Sequence, residues 1–125
     1  MNSLATAHAH LAKAREFLDA AGVSLDLEQY NAATSNAVIS AINSKDAICL
    51  KRLGATMKSD NHADAVKELS AAGKDAARLA PTFKRLLALK AKSQYQSATI
   101  AASTAKMAVT NAEKMYEAAR EIASS

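Results

Sequence analysis

From Leu27 to Gly54 the chain reads LEQYNAATSNAVISAINSKDAICLKRLG, a long run with no internal Pro or Gly that is apolar on more than one side. At about 100° per residue, Val38, Ile39, Ile42, Cys49, Leu50 and Leu53 share one face, and Tyr30, Ala33, Ala37, Ala41 and Ile48 share a second. One polar strip remains, made of Gln29, Asn36, Ser40, Asn43 and Lys51. A helix that is apolar over most of its circumference must be covered by neighbours, so this stretch is expected at the centre of a bundle. Asp46 falls by phase inside the first apolar face. A charge there is costly unless it is paired, so a cationic or polar partner is expected from another helix.

The rest of the chain agrees with that centre. Half of the 125 residues are hydrophobic but only 4% are aromatic, and there are 3 Gly and 1 Pro. The apolar content is therefore mostly Ala, Leu, Ile, Val and Met, which suits closely approaching helices, and the alternation that strands need does not recur. Residues 1–125 are expected to form one all-α domain with a core large enough to need neither disulfide nor metal. Cys49 is the lone cysteine, which excludes an internal disulfide, and its apolar surroundings predict a buried thiol. The N-terminus lacks a basic region followed by an apolar run, and no window is apolar enough to span a bilayer. A cytoplasmic protein with no membrane partner is expected.

Ser3 is placed to cap a first helix in which Leu4, Leu11 and Leu18 recur at seven-residue spacing, with Ala7, Ala14 and Ala21 beside them and Gly22 at its end. His8 and His10 lie two apart, point to different sides and cannot chelate together; both are expected on the surface. Asp26 is a candidate cap for the central helix, Ser44 a candidate kink, and Gly54 the stop, with Lys51 and Arg52 complementing the last turn. A loop over Thr56–Asn61 leads to a short helix from His62 to Ala72, capped by Ser59 or Asp60, with Val66 and Leu69 inward. A weak turn from Lys74 to Ala80 precedes a helix from Pro81 to Lys92 whose inner face is Phe83, Leu86 and Leu87. After a break at Ser93–Ser97, the last helix runs from Ala98 to Ile122 with a seam of Ile100, Thr104, Met107, Asn111, Met115, Ala118 and Ile122.

Net charge is +4, with the basic residues crowded between Lys45 and Lys92. That crowding is compatible with a polyanionic partner as well as with a merely solvated surface. By phase Lys90 lies within the inner face of its helix, while Arg78, Arg85 and Lys92 line the opposite stripe. Two charges on apolar faces, Asp46 and Lys90, are expected to meet, directly or through Tyr95, in a polar cluster between helices.

The run AVISAINSKDAICLKRLG, the loop and helix start SDNHADAVKEL, and LLALKAKSQYQS before a long Ala-rich last helix together resemble the HEPN domain superfamily, from about Tyr30 onward. The resemblance implies a five-helix up-down bundle and a homodimer. It also implies kinship with RNases, many of them toxins encoded beside a nucleotidyltransferase antitoxin. In such RNases an Arg followed after four to six residues by His sits near the end of the fourth helix; the His serves as acid or base and the Arg holds the phosphate, without metal. Here no Arg precedes His8 or His10, and Arg52 is too far upstream of His62. Lys90 and Tyr95 stand where Arg and His would be. Lys still neutralises a phosphate, but a phenol ordinarily ionises near ~10 and is a poor base at neutral pH.

No Gly-rich phosphate loop, metal-ligand cluster, serine elbow or aromatic stacking surface competes. The expectation is a non-catalytic or regulatory binding module with no cofactor and no metal. Its partners would be RNA, a nucleotide phosphate or a protein encoded nearby. Lys90, Tyr95 and Asp46 form its remnant site, with Arg85 and Lys92 as an electrostatic margin. Two alternatives stay open: an RNase toxin using Lys90, Tyr95 and His62 in an altered arrangement, and a structural bundle that contacts only protein.

Overall fold

A computed structural model describes residues 3–57, 61–97 and 99–125. Its elements are α1 (Ser3–Asp26), α2 (Tyr30–Leu53), α3 (His62–Ser70), α4 (Lys74–Ala77), α5 (Ala80–Ala88), α6 (Lys90–Gln94) and α7 (Ala102–Ser124), with no strand among the described residues. Since α4 and α6 are single turns flanking α5, five helices of substantial length make up an all-α bundle.

The centre is α2. Every residue from Asn43 to Leu50 is buried, so neighbours surround this part of the helix on all sides. Antiparallel α1 covers part of the strip expected to face water: Ser40 Oγ donates to the Ala14 carbonyl at 2.7 Å, and Asn43 meets His10. The helix is continuous through Ser44, whose buried hydroxyl has no hydrogen-bond partner among the described residues. It ends at Gly54, which takes the left-handed conformation (φ 76°) that a residue without Cβ adopts cheaply.

Alanine decides how the long helices meet. In α1 the residues fully buried are Ala7, Ala14 and Ala21, while Leu11 and Leu18 flank the core and Leu4 is 40% exposed. In α7 the buried stripe is Ala105, Ala108, Ala112, Met115, Ala119 and Ile122, with Met107 outside it at 54% exposure. The expected seam was thus rotated toward the larger side chains. Small residues let the backbones approach, and the long side chains then pack along the edges. Phe83, Leu86 and Leu87 of α5 are buried as expected, with Pro81 in that helix's first turn.

Several boundaries move. Gly22 does not end α1, which continues to Asp26 and leaves Asp26 as its last residue rather than a cap for α2. The reversal into α2 is made by Glu28 at φ 61° and by Gln29, which caps without a side-chain hydrogen bond. Asn61 caps α3, accepting from the Asp64 amide at 3.2 Å, and the proposed caps Ser59 and Asp60 lie outside the described residues. α7 starts at Ala102; before it, Ile100 is buried and its amide donates to Asn31 Oδ1 at 3.0 Å.

Candidate functional site

Two groups of polar side chains stand out, one inside the bundle and one on its surface. The inner one forms where α1, α2, α3 and the segment after Gly54 meet. Lys45 and Asp46 are neighbours on α2, 2% and 5% exposed. The Lys45 ammonium pairs with Glu68 Oε1 from α3, lies 3.3 Å from Asp46 Oδ1 and donates to Thr56 Oγ1 at 3.0 Å. Thr56 Oγ1 in turn donates to Asp46 Oδ1 at 2.6 Å, and the Met57 amide donates to both Glu68 oxygens at 3.1 Å. On the α1 side, Asn43 Nδ2 donates to the Ile39 carbonyl, which turns its Oδ1 toward His10 Nδ1 at 2.9 Å. His10 Nδ1 is also 3.8 Å from Asp46 Oδ2.

The electrostatics follow from this packing. Burial pulls the Lys45 ammonium toward neutrality, but the Glu68 hydrogen bond and the Asp46 charge outweigh it and hold its pKa above the ordinary value. For Glu68 burial acts upward, and the Lys45 and Met57 hydrogen bonds prevail to leave its pKa below the usual carboxylate range. Burial pushes the neighbouring Cys49 thiol up to about 12, so it is an inert core residue. With two carboxylates sharing one ammonium and hardly any area in water, this cluster ties the α2–α3 connection to the bundle.

Asp46 is therefore partnered by Lys45, Thr56 and His10, and the expected pairing with Lys90 does not form. The reason is register. Asp46 turns toward α1 and the segment after Gly54, whereas Lys90 begins α6, half-buried, with its carbonyl accepting from Ser93 Oγ. Tyr95 does not bridge them either; its ring is 76% exposed at the end of α6. His10, expected on the surface, is half-buried, while His8 is exposed. His62 is exposed at the start of α3 and makes no hydrogen bond or ion pair with Lys90 or Tyr95 among the described residues.

The second group lies on α5, α6 and the start of α7. Between Asp75 and Glu113 the chain has no acidic residue, but it carries Arg78, Lys84, Arg85, Lys90, Lys92 and Lys106. These six cations exceed the net charge of +4, because elsewhere ten basic residues face twelve acidic ones. All but Lys90 are exposed. Beside them α5 and α7 enclose a groove of about 190 Å³ with an apolar floor of Leu86, Leu89 and Met107 and with Arg85, Thr104 and Asn111 at its edge.

A HEPN domain family model matches residues 7–122, almost the whole chain. The chain belongs to the HEPN domain family. No curated protein matches it. In this HEPN chain the acid-free stretch includes Lys90 and Tyr95. Sequence reasoning singled out Lys90, Arg85, Lys92 and Tyr95 there but missed the groove, which exists only when α5 and α7 are side by side. It also missed Lys45, Thr56 and His10 as partners of Asp46, and Glu68 as the second carboxylate on Lys45. Lys45 was the one with a signal, being a second charge inside a run that is otherwise apolar on both of its neighbouring faces.

No group of three or more potential metal ligands occurs among the described residues. Likewise, no helix among them is long and apolar enough to cross a membrane.

Proposed function

We propose that this HEPN domain is a non-catalytic or regulatory module that contacts RNA or nucleotide phosphates through α5, α6 and the start of α7, acting as a homodimer. The observation that carries this reading is the absence of any carboxylate between Asp75 and Glu113 beside six cations, five of them exposed. Segregated positive charge recruits polyanions and releases their counterions. The groove lined by Leu89 and Met107 accommodates the flat apolar face of a base, with Arg85, Thr104 and Asn111 available to its polar edge. Tyr95, exposed in the same segment, offers a second stacking surface. Without a histidine beside Lys90, nothing in the segment supplies an acid or base suited to cleaving RNA at neutral pH. Asp46 has no part in this reading, since it is buried in the inner cluster.

The test is binding of a labelled single-stranded RNA by fluorescence anisotropy over a range of salt, with analytical ultracentrifugation for the dimer. Binding should weaken steeply with salt. Arg85→Glu and Lys92→Glu should each flatten the salt slope by about 0.7 or more, one phosphate contact's worth. Absence of binding at low salt would overturn the reading. Cleavage of the RNA, or growth arrest on expression that Lys90→Ala or Tyr95→Phe relieves, would replace it with the toxin.

A further inference from the structure

The other flank of α7 has the opposite character. At about 100° per residue, Val109, Glu113 and Glu117 sit almost diametrically across α7 from Thr104, Met107 and Asn111. There α1 and α7 enclose a wider groove of about 610 Å³. Its floor is Leu18, Gly22 and Val109, and its rims are Asp19 and Asp26 on α1 and Glu113 and Glu117 on α7. Arg15 is the one cation among the lining residues, so four carboxylates face one guanidinium in a chain of net charge +4. That guanidinium is already committed, donating to Asp19 at 3.1 Å and lying 5.7 Å from the Tyr116 ring centroid. Asp26 and Glu113 have no ion-pair partner among the described residues.

Gly22 adds a separate observation. A glycine inside a helix is unfavourable relative to alanine, and the usual justification is a neighbour too close for a Cβ. Here a Cβ would meet no atom of the described residues within 4 Å. The missing side chain leaves a notch in the groove lining that no described residue fills. Val23 and Leu27, 60% and 62% exposed, extend the apolar surface beyond it.

We propose that this groove is a docking site for a basic amphipathic helix of a partner protein. The apolar floor takes the partner's hydrophobic stripe, with the notch at Gly22 admitting one large side chain. The carboxylates recur along the rims at the spacings of a helix: Asp19 and Asp26 are seven residues apart, Glu113 and Glu117 four. Lysines or arginines placed at i, i+4 and i+7 beside an apolar stripe match that pattern. Nucleic acid is repelled from this side. The inference does not depend on RNA binding by α5 and α6, and either can fail alone.

The probe is a synthetic 18-residue helix with a leucine stripe bracketed by lysines, compared with the same peptide carrying Glu for Lys. The lysine peptide should bind, more weakly as salt rises, and the glutamate peptide should not. Asp26→Lys combined with Glu113→Lys should weaken binding at least tenfold. Gly22→Phe, which fills the notch without changing charge, should do the same, while Arg85→Glu on the far flank leaves affinity unchanged. Should the charge reversal impair folding, Asp26→Asn with Glu113→Gln gives a smaller loss in the same direction. Undiminished binding by the folded groove variants, or no binding at low salt, overturns the proposal. So does concentration-dependent self-association that the groove variants abolish, because the occupant would then be a second copy of this chain.

Discussion

Replacing Lys45 with Met tests the inner cluster directly. Lys45 is 2% exposed and lies against two carboxylates, Glu68 and Asp46, that are themselves almost entirely out of water. Methionine keeps most of the volume, so a packing defect contributes little. What remains is a site with two carboxylates and no ammonium, and loss of one member of a buried ionic cluster costs on the order of 3 to 5 kcal/mol. Stability for 125 residues is roughly 6 to 19 kcal/mol, so this one change removes a substantial part of it and lowers Tm by about 10 to 20 °C. The pH dependence gives a sharper test. In the parent, Glu68 ionises below its ordinary 4.5, so its contribution is complete above that pH and is lost as pH falls through the native value. In Lys45→Met, burial acts on Glu68 without the ammonium to oppose it, and acidification from pH 7 to 5 should stabilise the variant. Adding Glu68→Gln should recover part of the loss at pH 7. Denaturant melts at both pH values decide the matter. A Lys45→Met protein within 1 kcal/mol of the parent at pH 7, with the same pH profile, would refute the account.

Three further outcomes follow from local geometry. Ser40→Ala should destabilise by about 1 kcal/mol by removing the buried bond to the Ala14 carbonyl, whereas Ser44→Ala, which removes a buried hydroxyl with no partner among the described residues, should be neutral or stabilising by a similar amount; paired urea melts distinguish them. Gly22→Ala should stabilise by about 0.8 to 1 kcal/mol, since the helix gains propensity and the Cβ meets nothing. Gly73→Ala should destabilise by about 1 to 3 kcal/mol, because φ is 120° and a Cβ would lie 2.5 Å from Arg52 Nη1, which must give up its hold on Asp75 and the Ala72 carbonyl; thermal melts beside the Arg52→Ala protein would show the two losses overlapping.

The candidate surface was partly open to sequence reading and the buried cluster was not. Arg85, Lys90, Lys92 and Tyr95 follow one another within a stretch whose lack of acids is visible without coordinates, and α5 and α6 display that stretch locally. The partner of Asp46 could not be read in the same way. Phase shows that the carboxylate enters an apolar face, but Thr56 and His10, which reach it, and Glu68, which pairs with its neighbour Lys45, arrive from three other parts of the chain, and their meeting depends on how α1 and the segment after Gly54 lie along α2.

The helical class, the central place of α2 and the inward face of α5 belong to the sequence alone, because periodicity and the scarcity of Gly and Pro act within single helices. Which stripe of α7 turns inward was decided only on packing. Side-chain size favours a seam through Met107, whereas the contact distance between two backbones favours Ala105, Ala108 and Ala112. A helix considered by itself has no neighbour to approach, so the preference for alanine cannot appear until the helices meet. The rotation that buries the alanines also leaves Met107 and Asn111 in one groove and Glu113 and Glu117 on the rim of the other.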